Sequence, residues 1–255
     1  MEILKSNEMP VLGENQMIIP LFTLDSLLLP GDEMMMRVFE PRYKQMLDDV
    51  TLDDLPYGHV MSNPSMPDIN GCSTPYDVGT LVKVEDLQEQ GTNLLYNAKG
   101  GRRFRVLALI ESALEPEYFN NIFSSVDQLI ERYIDEVPTG KLYVRGVIEI
   151  IPELEGALAQ HKWDGLLSLW MSYIENIAEI NEMDVNDFDI ESEVRNMFPK
   201  SNYEHIWMLA SLVLDSLESQ ILALKATHAE EIRSIIESNI QAKLNTIRVF
   251  RQSNE

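Results

Sequence analysis

Lys99, Arg102, Arg103 and Arg105 place four cationic side chains within seven residues, the densest basic run in the chain. Such a cluster has the chemistry of an anion contact, including the phosphate backbone of RNA. The same side chains could instead cover the end of a hairpin with their apolar stems and pair with Glu85, Asp86 or Glu89. No aromatic platform accompanies them to stack bases, so the structural use carries more weight. Met34, Met35 and Met36 offer a different chemistry. Methionine is flexible and polarizable and adapts to varied apolar partners, which makes this run a candidate client-binding surface. In an alternating strand Met35 faces opposite to Met34 and Met36, so at least one of the three looks away from a core. Filling gaps in a core is the competing use.

Catalytic constellations are sparse. Cys72 is the only cysteine, and a thiol nucleophile needs a base within hydrogen-bond reach. His59 could supply one, yet no spacing ties it to Cys72, which sits in a proline-rich stretch. His59, His161, His205 and His228 are scattered singly, with none of the paired spacings of a zinc site. The 255 residues contain no Gly-x-x-x-x-Gly-Lys-Ser/Thr loop, Gly-x-Ser-x-Gly elbow, His-Glu-x-x-His or Gly-x-Gly-x-x-Gly. The expectation is a protein that is not an enzyme, with no catalytic residues, no metal and no cofactor.

Charge narrows the partners. The net charge is −22, and both halves are acidic: 9 basic against 18 acidic residues through Glu115, and 11 against 24 after it. This repels nucleic acid and anionic membrane. Exposed charges are screened beyond about 8 Å at physiological salt, so attraction to basic partners is weak. A single cysteine excludes an internal disulfide and favours a reducing compartment. The first residues lack a secretory layout, and no apolar run approaches the ~20 residues needed to span a bilayer. A soluble, cytoplasmic protein is expected.

Short strands should carry the first part of the chain. Residues 1 to 15 have no sustained period and read as a flexible tail. Met17 to Leu24 is a near-continuous apolar run, in which Pro20 needs an edge, a bulge or a strand start. Met34 to Phe39 reads as a second strand, Pro41 suits the first turn of a helix through Tyr43, Met46 and Leu47, and Tyr57 to Met61 reads as a third strand. Val78 to Val84, Leu94 to Ala98 and Phe104 to Ile110 predict a meander, with turns at Gln90 to Asn93 and at Gly100-Gly101. That alternation buries Phe104, Val106, Ala108 and Ile110 together. Tyr118 to Asp127 is ambiguous: it is read as a short strand passing into a helix, while Phe123, Val126, Leu129, Ile130 and Tyr133 also fit a helix. After Pro138 the period becomes 3.6, with stripes from Trp163 to Ile177, Ile206 to Leu224 and Ile232 to Ile247. An acidic segment, Glu175 to Glu193, lies between the first two.

Three spaced blocks occur in one order. Ile19-Pro20-Leu21-Phe22 leads to Leu29-Pro30-Gly31; Val38-Phe39-Glu40-Pro41-Arg42-Tyr43 follows; Val78-Gly79-Thr80-Leu81 leads to Gly100-Gly101-Arg102-Arg103-Phe104-Arg105-Val106. Together they resemble the N-terminal substrate-binding domain of the Lon protease family, a PUA-like β fold that also occurs as a stand-alone protein. The resemblance implies an α+β protein: a PUA-like β-barrel or sheet domain over residues 16–127, then a helical subdomain over 128–255 ending in a long helix. It implies binding of unfolded or specific client proteins, as a substrate-recognition module or adaptor, with a protease or ligase as a further partner. The ATPase and proteolytic modules of that family have no counterpart in these residues. An RNA-binding PUA-like module using Lys99, Arg102, Arg103 and Arg105 is the alternative, disfavoured by the acidic charge. Glu40-Pro41-Arg42-Tyr43 would either pin a helix to the barrel or line a peptide groove, with the pin preferred.

Overall fold

The computed structural model describes residues 1–116, 123–181 and 189–254, with residues 253 and 254 described in backbone only. In chain order the elements are β1 (Glu2–Leu4), β2 (Gln16–Leu24), β3 (Glu33–Val38), α1 (Pro41–Leu52), β4 (Tyr57–Ser62), β5 (Pro75–Val82), β6 (Glu85–Gln90), β7 (Asn93–Ile110), α2 (Val126–Tyr133), β8 (Arg145–Ile150), α3 (Gln160–Ile180), α4 (Ile190–Met197), α5 (Tyr203–Val213), α6 (Leu217–Lys225) and α7 (Ala229–Asn254). They fall into two units, Met1–Ile151 and Pro152–Glu255. The architecture is α+β and ends in a long helix, as the resemblance implies.

In the first unit β2, β4, β5, β7 and β8 pair in a closed circuit, since β7 joins β8 as well as β5. Closure removes the open edges that a sheet would otherwise present. Ile19, Leu21, Val60, Leu81, Phe104, Val106, Leu109 and Ile148 fill the interior. Two glycines make room there for the Phe104 ring. A Cβ on Gly58 would lie 2.6 Å from its Cζ, and one on Gly79 2.9 Å from it and 2.3 Å from the His59 carbonyl oxygen. A second core forms where β3 and the first half of β7 meet α1. There Met36, Val38, Tyr96 and Ala98 pack with Tyr43, Met46, Leu47 and Val50, the residues that 3.6-residue spacing puts on one face of α1.

Several expectations need correction. Gly100-Gly101 is no turn: β7 runs unbroken through it, carrying β3 and β6 on its first half and β5, β8 and β1 on its second. A glycine is required because Gly100 exchanges backbone hydrogen bonds with Gly31 and Asp32, and its Cβ would meet the Leu29 carbonyl oxygen at 2.1 Å. Phe104, Val106, Ala108 and Ile110 are all buried, but not together. Leu107 is an extra residue in the pairing with β8, and such a bulge reverses the alternation. Phe104, Val106 and Leu109 therefore share the barrel interior, while Ala108 and Ile110 join Val147 in a separate cluster. Pro20 lies mid-strand, at the point where β2 changes partner from β8 to β4.

The expected tail begins as a strand. β1 pairs in parallel with Ala108–Ile110, and the buried Ser6 accepts a 2.6 Å hydrogen bond from Arg145 Nη2 at its carbonyl. The first unit also extends past residue 127, because α2 packs against α1 and β8 closes the barrel. Residues 118 to 122 of the ambiguous segment lie outside the described residues. From Val126 the chain is helical, opened by a capping box in which Ser125 Oγ accepts from the Gln128 N–H at 3.3 Å and the Gln128 side chain accepts from the Ser125 N–H at 3.0 Å.

In the second unit α7 contacts α3, α5 and α6, burying Ile232, Ile236, Ile240, Leu244 and Ile247 along one stripe. Trp163 Nε1 donates to the Phe198 carbonyl at 3.2 Å. The stripe from Ile206 to Leu224 is two helices rather than one. Leu214 turns to an extended conformation, and Ser216 caps α6 by accepting from the Ser219 N–H at 3.2 Å. Part of the acidic segment is helical, at the end of α3 and the start of α4; residues 182–188 of it lie outside the described residues.

Candidate functional site

Alternation along β3 sorts its methionines. Met36 is buried in the core beneath α1, Met34 is half-buried against the same core, and Met35 is 82% exposed. Glu33, Met35, Arg37 and Phe39 thus form an outward stripe, on which Phe39 is 50% exposed.

The stripe ends in an open groove of about 690 Å³, lined among others by Arg37, Phe39, Lys44, Asn93, Phe123 and Ser125. The Phe39 and Phe123 rings lie 6.2 Å apart, inclined at 46°. Four elements converge here: the end of β3, the first turn of α1, the start of β7 and the capped start of α2. Alternation across Glu33 to Phe39 makes Arg37 and Phe39 neighbours of Met35 from sequence alone. Nothing in the sequence brings up Phe123, which tertiary folding delivers from a distant segment.

Glu40-Pro41-Arg42-Tyr43 pins α1 to its surroundings. Pro41 opens the helix after Glu40, and Arg42 meets the Glu40 carboxylate twice, through Nε at 2.9 Å and Nη2 at 2.8 Å. The guanidinium also lies 4.5 Å from the centre of the Tyr43 ring, and its Nη1 donates to Cys72 Sγ at 3.5 Å. Burial works against its charge, but Tyr43, Glu40 and Cys72 outweigh burial and hold its pKa above the ordinary arginine value. Tyr43 Oη donates to the Thr23 carbonyl at 3.3 Å. Glu40, Pro41 and Arg42 also border a smaller apolar recess with Leu114, Leu129 and Leu142, so the anchor and the cleft wall are one structure.

The basic run does not form one surface patch. Arg103 is only 1% exposed, beside Thr80 on β5. Lys99 is tied to Glu33 across the strand pair at 3.2 Å. Arg102 and Arg105 remain exposed. A buried Arg103 cannot contact an outside anion, which corrects the expectation of a four-residue cluster. For Lys99 the pairing acid is Glu33 on β3, not one of the acids of β6.

Cys72 and His59 are not brought together as nucleophile and base. Cys72 is buried beside Arg42 and Ser112 Oγ, the latter at 3.6 Å. His59 is buried with Nε2 3.0 Å from the Ser26 carbonyl, and its Nδ1 has no hydrogen-bond partner among the described residues. Burial lowers its pKa, only partly opposed by the Ser26 bond. Among the described residues no three His, Cys, Asp or Glu side chains are grouped to hold a metal ion. None of the described helices is long and apolar enough to cross a membrane.

The model of the ATP-dependent protease La (LON) substrate-binding domain matches residues 18–238. The fold is similar to the crystal structure of a Lon N-terminal domain protein from Xanthomonas campestris, with a TM-score of 0.55 and 21% identity, covering 86% of this chain and 97% of that one. It is also similar to the N-terminal domain of the Mycobacterium avium complex Lon protease, with a TM-score of 0.53 and 10% identity, covering 88% and 98% of the two chains. No curated protein sequence matches the chain.

Proposed function

The chain belongs to the family of ATP-dependent protease La (LON) substrate-binding domains, and from that premise we propose that it recognises polypeptides without catalysing a reaction on them. The observation that carries the reading is the outward stripe of β3. A methionine 82% exposed on β3 and a phenylalanine 50% exposed just past its end stand opposite a face packed in a core. An unfolded client offers apolar side chains that a folded one hides, and flexible Met35 adapts to many of them. Such clients, in the cytoplasm, fit a surface that is apolar at Met35 and Phe39 and polar around them. Delivery of the client to a protease or ligase is the finer form of the same proposal.

The test is binding of one labelled model protein in its denatured and its folded form. The denatured chain should bind and the folded one should not. No affinity for any unfolded chain at high micromolar concentration would remove the proposal. The RNA-binding alternative loses support from the burial of Arg103 and the pairing of Lys99; absence of a shift with RNA pools at low salt would dispose of it.

A further inference from the structure

Acids outnumber bases 42 to 20 in this chain, yet the groove beside Phe39 reverses that ratio. Among the described residues its lining contains Arg37 and Lys44 and no carboxylate. Neither cation forms an ion pair with a described residue, whereas Lys99 pairs with Glu33 and Lys83 with Asp54. Lys44 acts on Asp48 one turn further along α1, but Asp48 is not part of the lining. Asp127, in the first turn of α2, is likewise outside it. Thr92, Asn93, Ser124 and Ser125 supply the remaining polar groups.

We propose that this groove takes a peptide segment in which an aromatic or large apolar side chain is flanked by aspartate or glutamate. The inference rests on the protein-recognition reading above and names the class of segment that this part of the surface prefers. The ring of the segment would pack against the Phe39–Phe123 pair, where edge and face contacts reward an aromatic most. Its carboxylates would meet Arg37 and Lys44, and the hydroxyl and amide groups around them would serve its backbone. Charge complementarity of this kind sets register and choice of partner more than raw affinity. A basic segment would be drawn by the acidic remainder of the chain but excluded from this groove. The chain would thereby discriminate among unfolded clients instead of taking any apolar stretch.

The experiment titrates the full chain against three fluorescein-labelled peptides: one with phenylalanine flanked by glutamates, one with the glutamates replaced by lysines, and one with the glutamates kept but serine in place of phenylalanine. The first should bind about tenfold more tightly than either of the others, and the gap over the lysine peptide should shrink as salt screens it. Arg37→Glu/Lys44→Glu should abolish the preference for glutamate, and Phe39→Ser should weaken the first peptide. Equal binding of the glutamate and lysine peptides, or a preference that survives the double variant, would overturn the inference. So would tight binding of the serine peptide, which marks a bare anion site, or self-association of the chain through this groove. A denatured protein that still binds while the peptide preference is absent sinks this inference alone. Loss of all binding to denatured protein by the unaltered chain sinks the recognition reading with it.

Discussion

Met35 and Met36 are adjacent, and Arg37 and Arg103 both lie on strands that join β7 or form it, yet their fates are opposite. Met36 and Arg103 are enclosed, while Met35 and Arg37 stand on an outward stripe. Residue type decides neither outcome. Strand alternation and what packs on each face decide both: α1 covers one side of β3 and leaves the other open, while Arg103, on the face of β7 opposite to the interior Phe104, is covered where it lies beside Thr80. One side is a scaffold whose substitutions unfold the protein. The other is a surface whose substitutions should change what it binds and little else.

The comparison breaks most sharply at the two phenylalanines. Phe104→Ala empties the barrel interior and should cost about 3–5 kcal/mol in urea denaturation, whereas Phe39→Ala should cost about 0.5 kcal/mol or less. Equal losses would mean that the groove residue is structural. The methionines sharpen the same contrast on a smaller scale. Met36→Ala should destabilise by about 2–5 kcal/mol and Met35→Ala by about 0.5 kcal/mol or less, measured the same way.

A gentler test uses acid. The pKa of the buried His59 lies below its ordinary value of 6.5, so below that pH the unfolded chain takes up a proton that the native chain refuses. Its contribution is therefore complete above pH 6.5 and is lost as pH falls from 6.5 through the folded-state pKa. The slope from this one group should not exceed about 1.4 kcal/mol per pH unit, and His59→Gln should flatten the stability profile between pH 6.5 and 5 by about that much or less. An unchanged profile would show that His59 is protonated alike in both states.

Much of the scaffold was legible because period and punctuation agree over β2, β3, α1, α3 and α7. It failed where one residue serves a distant contact. Gly100-Gly101 looks like a turn, but Gly100 is there for the close approach of the Leu29 carbonyl. The bulge at Leu107 hides inside a continuous apolar run, in which either alternation fits the residues equally well. Strand β8 is short and sits in a region where helical spacing dominates, so its role in closing the barrel has no local signal. The site divides in the same way. Alternation set Met35 opposite to Met34 and Met36, so at least one of the three had to face outward, and the packing of Met36 beneath α1 makes that one Met35; Arg37 and Phe39 lay within reach of that argument. The aromatic partner Phe123 and the burial of Arg103 are products of tertiary pairing.

The most direct measurement is the affinity of the full chain for a labelled denatured protein, compared between the unaltered protein and Met35→Glu/Phe39→Glu, with melting temperatures recorded in parallel. The double variant should bind about tenfold more weakly or worse, as expected when two central apolar contacts of an interface are lost, with its melting temperature unchanged. Undiminished binding by a variant that melts normally would contradict recognition through the outward stripe of β3.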